Sequence, residues 1–355
     1  MIGRITEFKK MKSFIYLKVQ NAYETAHIQL GKDMEPRPHT NDIIQFDMKD
    51  IGEQLPIATN LKLLEKCKAP EEINPDATKI ILHRQKIEQI IDSHYKNINA
   101  IKVITPTLEN FRGTSNVEPY ETINKKSKKL YLKFTHDLAL RNILADALVP
   151  VYEIGNVFRN MGASYKYATE FTMLESHIPC ESLEFGIQFA TNILQDIAHY
   201  LGKDDFDNLE QKSIFDSFYA FGKDFYQMGI IEQMEFYKDS IKKSGTFISA
   251  YQPIDAAPLA KIDPNTGLAL DAEIIHNGKG IAHIYVCENN YDKLLQIFKS
   301  QGHRQQDLNQ DFLNKLKAGI PTTVGVAIGL DRTIAGLHNI NVNDLVVRKK
   351  LSREQ

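Results

Sequence analysis

The sequence predicts an α+β chain: a small N-terminal β-barrel, then a larger domain in which an antiparallel β-sheet is flanked by helices. Three observations predict it. Residues 1–72 hold five short β-type runs separated by turn-forming stretches. Residues 151–175 alternate as two facing strands, and residues 319–337 read as a buried strand that passes through glycine into a helix.

The N-terminal runs are IGRITEF, FIYLKV, AHIQLG, DIIQFDMKDI and IATNLKLL, broken by stretches such as DMEPRPHTND. Five short strands in that order suit an OB-fold barrel, whose face and loops grip single-stranded nucleic acid. The segment KCKAPEEINPDATK, with two prolines and several charges, reads as the linker into a larger domain spanning residues 73–355. That domain opens with a helix at about 79–97, where Ile81, Ile87, Ile90 and Ile91 share one stripe. VITPTL follows at 103–108; a proline within a strand is tolerated at an edge, which suits a strand lying beside a partner subunit. Further on, Ile187, Ala190, Leu194, Ile197 and Leu201 mark an amphipathic helix that Gly202 stops. Residues 203–245 read as two or three helices rich in Phe and Tyr.

The stretch VYEIGNVFRNMGASYKYATEFTMLE, residues 151–175, carries the most chemistry. Period-two alternation puts Val151, Glu153, Gly155, Val157 and Arg159 on one face, with Ile154 and Phe158 on the other. The return run puts Phe171, Met173 and Glu175 on one face, and the Asn160–Thr169 loop holds the turn residues Asn160, Gly162 and Ser164. A guanidinium suits a phosphate, an aromatic ring can stack on a purine, and an inward carboxylate can hold an ammonium group. These are the parts of an ATP and amino-acid site. The alternative is an ordinary amphipathic hairpin in which Arg159 and Glu175 simply pair.

The second signal is GIPTTVGVAIGLDRTIAGL, residues 319–337. Small and β-branched residues run from Thr322 to Leu330, with Gly325 and Gly329 as in a strand that a ligand or another backbone approaches closely. Asp331 stands where a helix N-cap belongs, and Arg332 adds a guanidinium to the positive end of that helix, which suits a terminal phosphate.

Composition sets limits. At 355 residues and 43% apolar content, the chain can bury one large core and a small appended one. It has no apolar run of about 18 residues to span a membrane, and the start MIGRITEFKKMKSF is not a secretory signal. Cys67, Cys180 and Cys287 form no CxxC pair, so a reducing cytosol without structural zinc is expected. With a formal charge of −2, nucleic-acid contact must come from local patches such as Lys9, Lys10 and Lys12, or Lys125, Lys126, Lys128 and Lys129. Such runs are also common as plain solvated surface.

On these motifs the chain resembles the class II aminoacyl-tRNA synthetases, the lysyl type in particular, and is also similar to the lysyltransferase that modifies elongation factor P. VYEIGNVFRN with EFTMLE matches the second class motif, GVAIGLDR the third, and VITPTL with its preceding helix the first. LYLKFTHDLALRNIL, TFISAYQP and PLAK match more weakly. The resemblance implies a class II antiparallel sheet behind the barrel, a helical insertion at about 203–245 and a homodimer built on the first motif. It implies ATP and Mg²⁺ as cofactors, and a lysine-like amino acid and tRNA as substrates. By position, Arg159 would hold the α-phosphate, Phe171 would stack on adenine, Arg332 would hold the γ-phosphate, and Glu273 would bind Mg²⁺. Asp137 would receive the α-amino group. Glu175 would hold a lysine side chain, with His283, Tyr285 and Glu288 around it. In the barrel, Phe14 would stack on an anticodon base beside Lys18, unless Phe14 belongs to the barrel core.

The sequence also departs from the pattern. Gly280 stands where the family has a second metal-binding glutamate. Met161 and Tyr167-Ala168 replace residues near adenine, Asp137 replaces a glutamate, His177 replaces a tyrosine, and Cys287 takes the place of a second pocket carboxylate. Lys18-Val19 replaces a Gln-Asp pair in the barrel. Three functions are consistent with this: a ligase charging tRNA, an aminoacyl transferase acting on a protein or small molecule, and a non-catalytic relative. Ala327 favours the second, although the elongation factor P modifier has no OB domain. Arg159, Arg332, Glu273 and Glu175 together favour catalysis.

Overall fold

The computed structural model describes residues 1–68, 77–112, 117–160, 168–252, 259–300, 308–340 and 342–345. Met161, Tyr167 and most of the expected linker lie outside them. The chain divides into two compact units, Met1–Lys86 and Ile87–Gln355.

The first unit is a closed barrel of β1 (Ile2–Lys10), β2 (Phe14–Gln20), β3 (Thr25–Gly31), β4 (Ile43–Lys49) and β5 (Ile57–Glu65) in the order β1-β2-β3-β5-β4. Alternation decides what fills it. Ile15, Leu17 and Val19 of β2 join Ile5, Ile28, Leu30, Ile44 and Phe46 inside, so Phe14, Tyr16 and Lys18 occupy the opposite face of the strand. Phe14 is only half-buried and lies outside the apolar cluster of the barrel.

The second unit takes most of α1 (Ala77–Asn97), followed by β6 (Ile101–Lys102), β7 (Leu108–Glu109), β8 (Glu121–Ile123), β9 (Lys129–Leu132) and α2 (Asp137–Ala147). Then come β10 (Val151–Phe158), β11 (Glu170–Pro179), α3 (Leu183–Tyr200), β12 (Gln211–Ser213), α4 (Ile214–Ala220) and α5 (Ile230–Phe236). The chain closes with β13 (Phe247–Gln252), β14 (Ala269–His276), β15 (Lys279–Val286), α6 (Tyr291–Ser300), α7 (Gln310–Ala318), β16 (Thr323–Gly329) and α8 (Leu330–His338).

Eight of these strands form one sheet in the order β12-β13-β14-β15-β16-β11-β10-β6. It is antiparallel except at its two ends, where β12 runs parallel to β13 and β6 parallel to β10. The strand expected at VITPTL, 103–108, does not form along that segment: β6 pairs just before it at Ile101–Lys102, and β7 begins only at Leu108. Val103 still donates its N–H to Tyr152 O, and Thr105 then turns in to bond Glu153. Pro106 follows, where a strand could not have continued donating.

One face of the sheet is core. Tyr152, Leu174, Ile178, Ile284, Val286, Val324, Val326 and Ile328 pack with Ile87, Ile91 and Tyr95 of α1 and with the stripe of α3. Ser182 caps α3 by accepting from Phe185 N–H at 3.1 Å, and Gly202 ends it at φ +71°. Each fully buried Leu, Ile or Val contributes roughly 1.5–3 kcal/mol of transfer free energy, so this core leaves the opposite face free to carry polar groups. Over residues 203–245 the Phe and Tyr side chains do build a small cluster, in which Ile214, Phe218, Ile241 and Phe247 are buried. Among the described residues no helix is long and apolar enough to cross a membrane, and no group of three His, Cys, Asp or Glu side chains could hold a metal ion.

Candidate active site

The polar face is laid out by strand register. Glu153 opposes Glu175, Glu175 opposes Ala327, Ala327 opposes His283, His283 opposes Glu273, and Glu273 opposes Ser249. Directly opposed residues point to the same side of a sheet, so these six form one row across it. A second row runs Val151, His177, Gly325, Tyr285 and Asp271, and Val157 opposes Phe171 further along the same face. The small residues of GVAIG are thereby explained. A Cβ on Gly325 would stand 3.1 Å from both His177 Cε1 and Tyr285 Cε1, so glycine leaves room for the rings on either side.

Glu175 is buried, and its two oxygens accept from Thr135 Oγ1 at 2.8 Å; the backbone N–H of His136 also donates to it. Arg159 lies elsewhere: its Nε meets Phe134 O at 3.3 Å and its guanidinium lies 5.1 Å from the centre of the Phe171 ring. The described contacts of Arg159 do not include pairing with Glu175, the bland alternative for this hairpin. Burial lowers the pKa of Arg159 from its usual value; Glu175 opposes that shift, and the charge of Arg332 is near enough to add to it.

Asp331 does not cap its own helix. The N-cap is Gly329, and the Asp331 carboxylate accepts from Thr172 N–H at 2.9 Å, which ties α8 to β11 beside Phe171. Arg332 donates from Nη1 to Gly280 O at 2.7 Å. Arg159 thus follows the end of β10 and Arg332 lies in the first turn of α8, near enough for their charges to act on each other.

Below the second row, Asp137 opens α2. His177 Nε2 lies 2.8 Å from its Oδ1, and Tyr285 donates its hydroxyl to the same oxygen. Burial would raise the Asp137 carboxyl, but His177, Arg141 and Tyr285 hold it well below the usual carboxylate range. Burial opposes a charged His177; the charges and hydrogen bonds of Cys287 and Asp137 nevertheless raise it from 6.5 to about 9. His283 stacks on Tyr285 at 5.3 Å and pairs with Asp271 at 2.5 Å. Glu288 is not gathered into the rows. It accepts from the N–H groups of Asn289 and Asn290 at the entrance to α6. Cys287 instead sits 3.6 Å from His177 Nδ1.

Sequence reading missed the support beneath this surface. Lys133 Nζ lies 2.7 Å from Glu153 Oε1, while Thr105 Oγ1 at 2.6 Å and His136 Nδ1 at 3.2 Å meet Oε2. Burial would raise Glu153, and hydrogen bonds from His136, Lys133 and Thr105 instead lower it to about 2. Arg141, fully buried one turn after Asp137, donates to Glu288 O at 2.9 Å. The signal lay in LYLKFTHDLALRNIL, which holds Lys133, Thr135, His136, Asp137 and Arg141 together.

The expected Mg²⁺ site does not fit the residues present. Glu273 contributes one carboxylate, Gly280 contributes none, and Lys242 Nζ stands 2.7 Å from Glu273 Oε2. Magnesium takes one or two carboxylates together with waters and phosphates, and both oxygens of the one carboxylate here are already engaged by Lys242.

The barrel residues keep to their own unit. Phe14, Tyr16 and Lys18 share a strand face, and Lys18 opposes His27 and Glu7. Tyr16 OH bonds His27 Nδ1 at 2.7 Å.

Comparison with known proteins gives a consistent answer. A family profile described as tRNA synthetases class II (D, K and N) matches residues 68–347. The chain is 26% identical to the lysine–tRNA ligase of Buchnera aphidicola subsp. Schizaphis graminum, over 76% of this chain and 63% of that one. It is 27% identical to the lysine–tRNA ligase of Bacillus subtilis, over 75% and 62%, and 25% identical to that of Malacoplasma penetrans, over 74% and 63%. The chain thus spans less than two thirds of the length of the curated relatives it matches. With its sheet, its rows of polar residues and a profile match across most of its length, the chain belongs to the class II tRNA synthetase family of the D, K and N group.

Proposed function

We propose that the chain activates an amino acid with ATP and passes the acyl group to tRNA, with lysine or a lysine-like amino acid as substrate. One observation carries the reading: Glu153, Glu175, Ala327, His283 and Glu273 lie in a single row, and the charges of Arg159 and Arg332 are near enough to act on each other. The substrate carboxylate oxygen attacks the α-phosphorus of ATP, and the bond to the bridging oxygen breaks to release pyrophosphate. Arg159 neutralises charge at the α-phosphate and Arg332 at the terminal phosphate, while Phe171 stacks on adenine. Such catalysis is positional and electrostatic, so no general base is required. Asp137 takes the α-ammonium group and Glu175 the side-chain ammonium, with Tyr285 and His283 walling the pocket.

The barrel face with Phe14, Tyr16 and Lys18 supports RNA binding, since stacking platforms beside cations are sequence-tolerant. Pairing of two copies through the segment around β6 is supported by three exposed apolar side chains close together in sequence, Ile101, Ile104 and Leu108. A cytosolic setting agrees with three free cysteines. The test is amino-acid-dependent exchange of labelled pyrophosphate into ATP, followed by acceptor assays with total tRNA and with protein. Exchange with lysine and charging of tRNA is the expected result. Absence of exchange with every amino acid would refute activation, and labelling of protein alone would refute the tRNA step.

A further inference from the structure

The contact between Lys242 and Glu273 carries an inference that rests on the nucleotide-binding reading above. Glu273 lies in the polar row. Its carboxylate is straddled by one ammonium, with Lys242 Nζ 2.8 Å from Oε1 and 2.7 Å from Oε2. Tyr237 donates its hydroxyl to Oε2 at 3.3 Å, and the same Lys242 ammonium lies 5.1 Å from the centre of the Tyr237 ring. The pair is about three-quarters buried, with side-chain exposures of 21% and 24%.

Gly280 completes the arrangement. A Cβ there would fall 1.6 Å from Glu273 Oε1. The carboxylate thus fills space that any side chain at 280 would claim. Arg332, on the other side, donates to Gly280 O, so the pair stands directly behind the residue that the phosphate-facing arginine holds.

We infer that Lys242 is the resident cation of this site: its ammonium, held by Glu273, supplies the positive charge that a carboxylate-bound divalent ion would otherwise bring to the nucleotide phosphates. The charge balance agrees. Two carboxylates around a dication are neutral, and one carboxylate with one ammonium is neutral too. A glutamate at 280 would be surplus, and it would collide with Glu273. An ammonium needs no octahedral shell, whereas magnesium would have to compete with Lys242 for both oxygens of the one carboxylate present.

The experiment is calorimetric titration of the full chain with ATP, in excess EDTA and in excess Mg²⁺, for the wild type, Lys242→Ala and Lys242→Arg. A Mn²⁺ titration of the nucleotide-free protein, followed by electron paramagnetic resonance, runs alongside. The wild type should bind ATP in EDTA with an affinity within about threefold of that in Mg²⁺, and Lys242→Ala should weaken binding in EDTA by about tenfold or more. Lys242→Arg should restore most of it, and the wild type should show no Mn²⁺ site. A wild type that binds ATP only with the metal, or that holds Mn²⁺ as tightly as Lys242→Ala does, would overturn the assignment while leaving the nucleotide site intact. A folded wild type that binds no ATP under either condition would remove the nucleotide reading itself.

Discussion

The guanidinium of Arg159 lies 5.1 Å from the centre of the Phe171 ring, one side chain at the end of β10 and the other at the start of β11. Two groups assigned to one nucleotide are thus neighbours, and the cation–π contact holds Arg159 in place. Arg159→Ala should lower kcat/KM for pyrophosphate exchange by about a hundred- to a thousandfold, the scale for losing a preorganised charge at the reacting centre. Phe171→Leu should raise KM for ATP while changing kcat much less. Melting temperatures within a few degrees of wild type would confirm that the loss is not unfolding.

His177 and Asp137 give a pH prediction. The folded pKa of His177 is raised from 6.5 to about 9. The stabilisation from its protonated form is therefore complete below 6.5 and disappears as pH rises through 9. The melting temperature of the wild type should fall across that window, and His177→Gln should remove this component of the slope. Equal slopes in the two proteins would show that His177 is not charged when folded.

At one end of the row, Glu153 and its partner Lys133 are both almost fully buried. Removing one partner strands the other charge, so Lys133→Met should cost about 3–5 kcal/mol in urea unfolding. Lys133→Met with Glu153→Leu should cost less than the single change. The depressed Glu153 carboxyl works in the opposite pH direction from His177. Its contribution is present above its ordinary 4.5 and lost as pH falls toward about 2.

Gly325 is the floor between His177 and Tyr285. Gly325→Val should push both rings, costing about 1–3 kcal/mol of stability, and should raise KM for the amino acid far more than KM for ATP. Equal effects on the two constants would place the pocket elsewhere.

Strand periodicity made much of this visible in the sequence. The alternation in VYEIGNVF and EFTMLE foretold that Glu153, Glu175, Val157 and Phe171 share a face, because a period of two leaves no other arrangement for a half-buried hairpin. The barrel was legible from five short β-type runs set apart by turn-forming stretches. What alternation could not supply was the pairing between strands distant in sequence. Nothing in the local pattern puts Ala327 between Glu175 and His283, or Lys242 against Glu273. Asp331 looked like a helix cap because its position suits one, and only tertiary structure shows its carboxylate bonded to Thr172 N–H. Glu288 shows the same limit: it is adjacent to Cys287 in sequence, yet it lies beyond the end of β15 at Val286 and its carboxylate serves the entrance of α6.

The central claim is that Arg159 and Arg332 meet on a single triphosphate. A crystal of the protein with a non-hydrolysable ATP analogue and the amino acid tests it most directly. The account predicts the α-phosphate within hydrogen-bond reach of Arg159, the γ-phosphate within reach of Arg332, and the adenine ring against Phe171. A nucleotide bound away from β10 and β11, or either guanidinium turned from the phosphates, would contradict it.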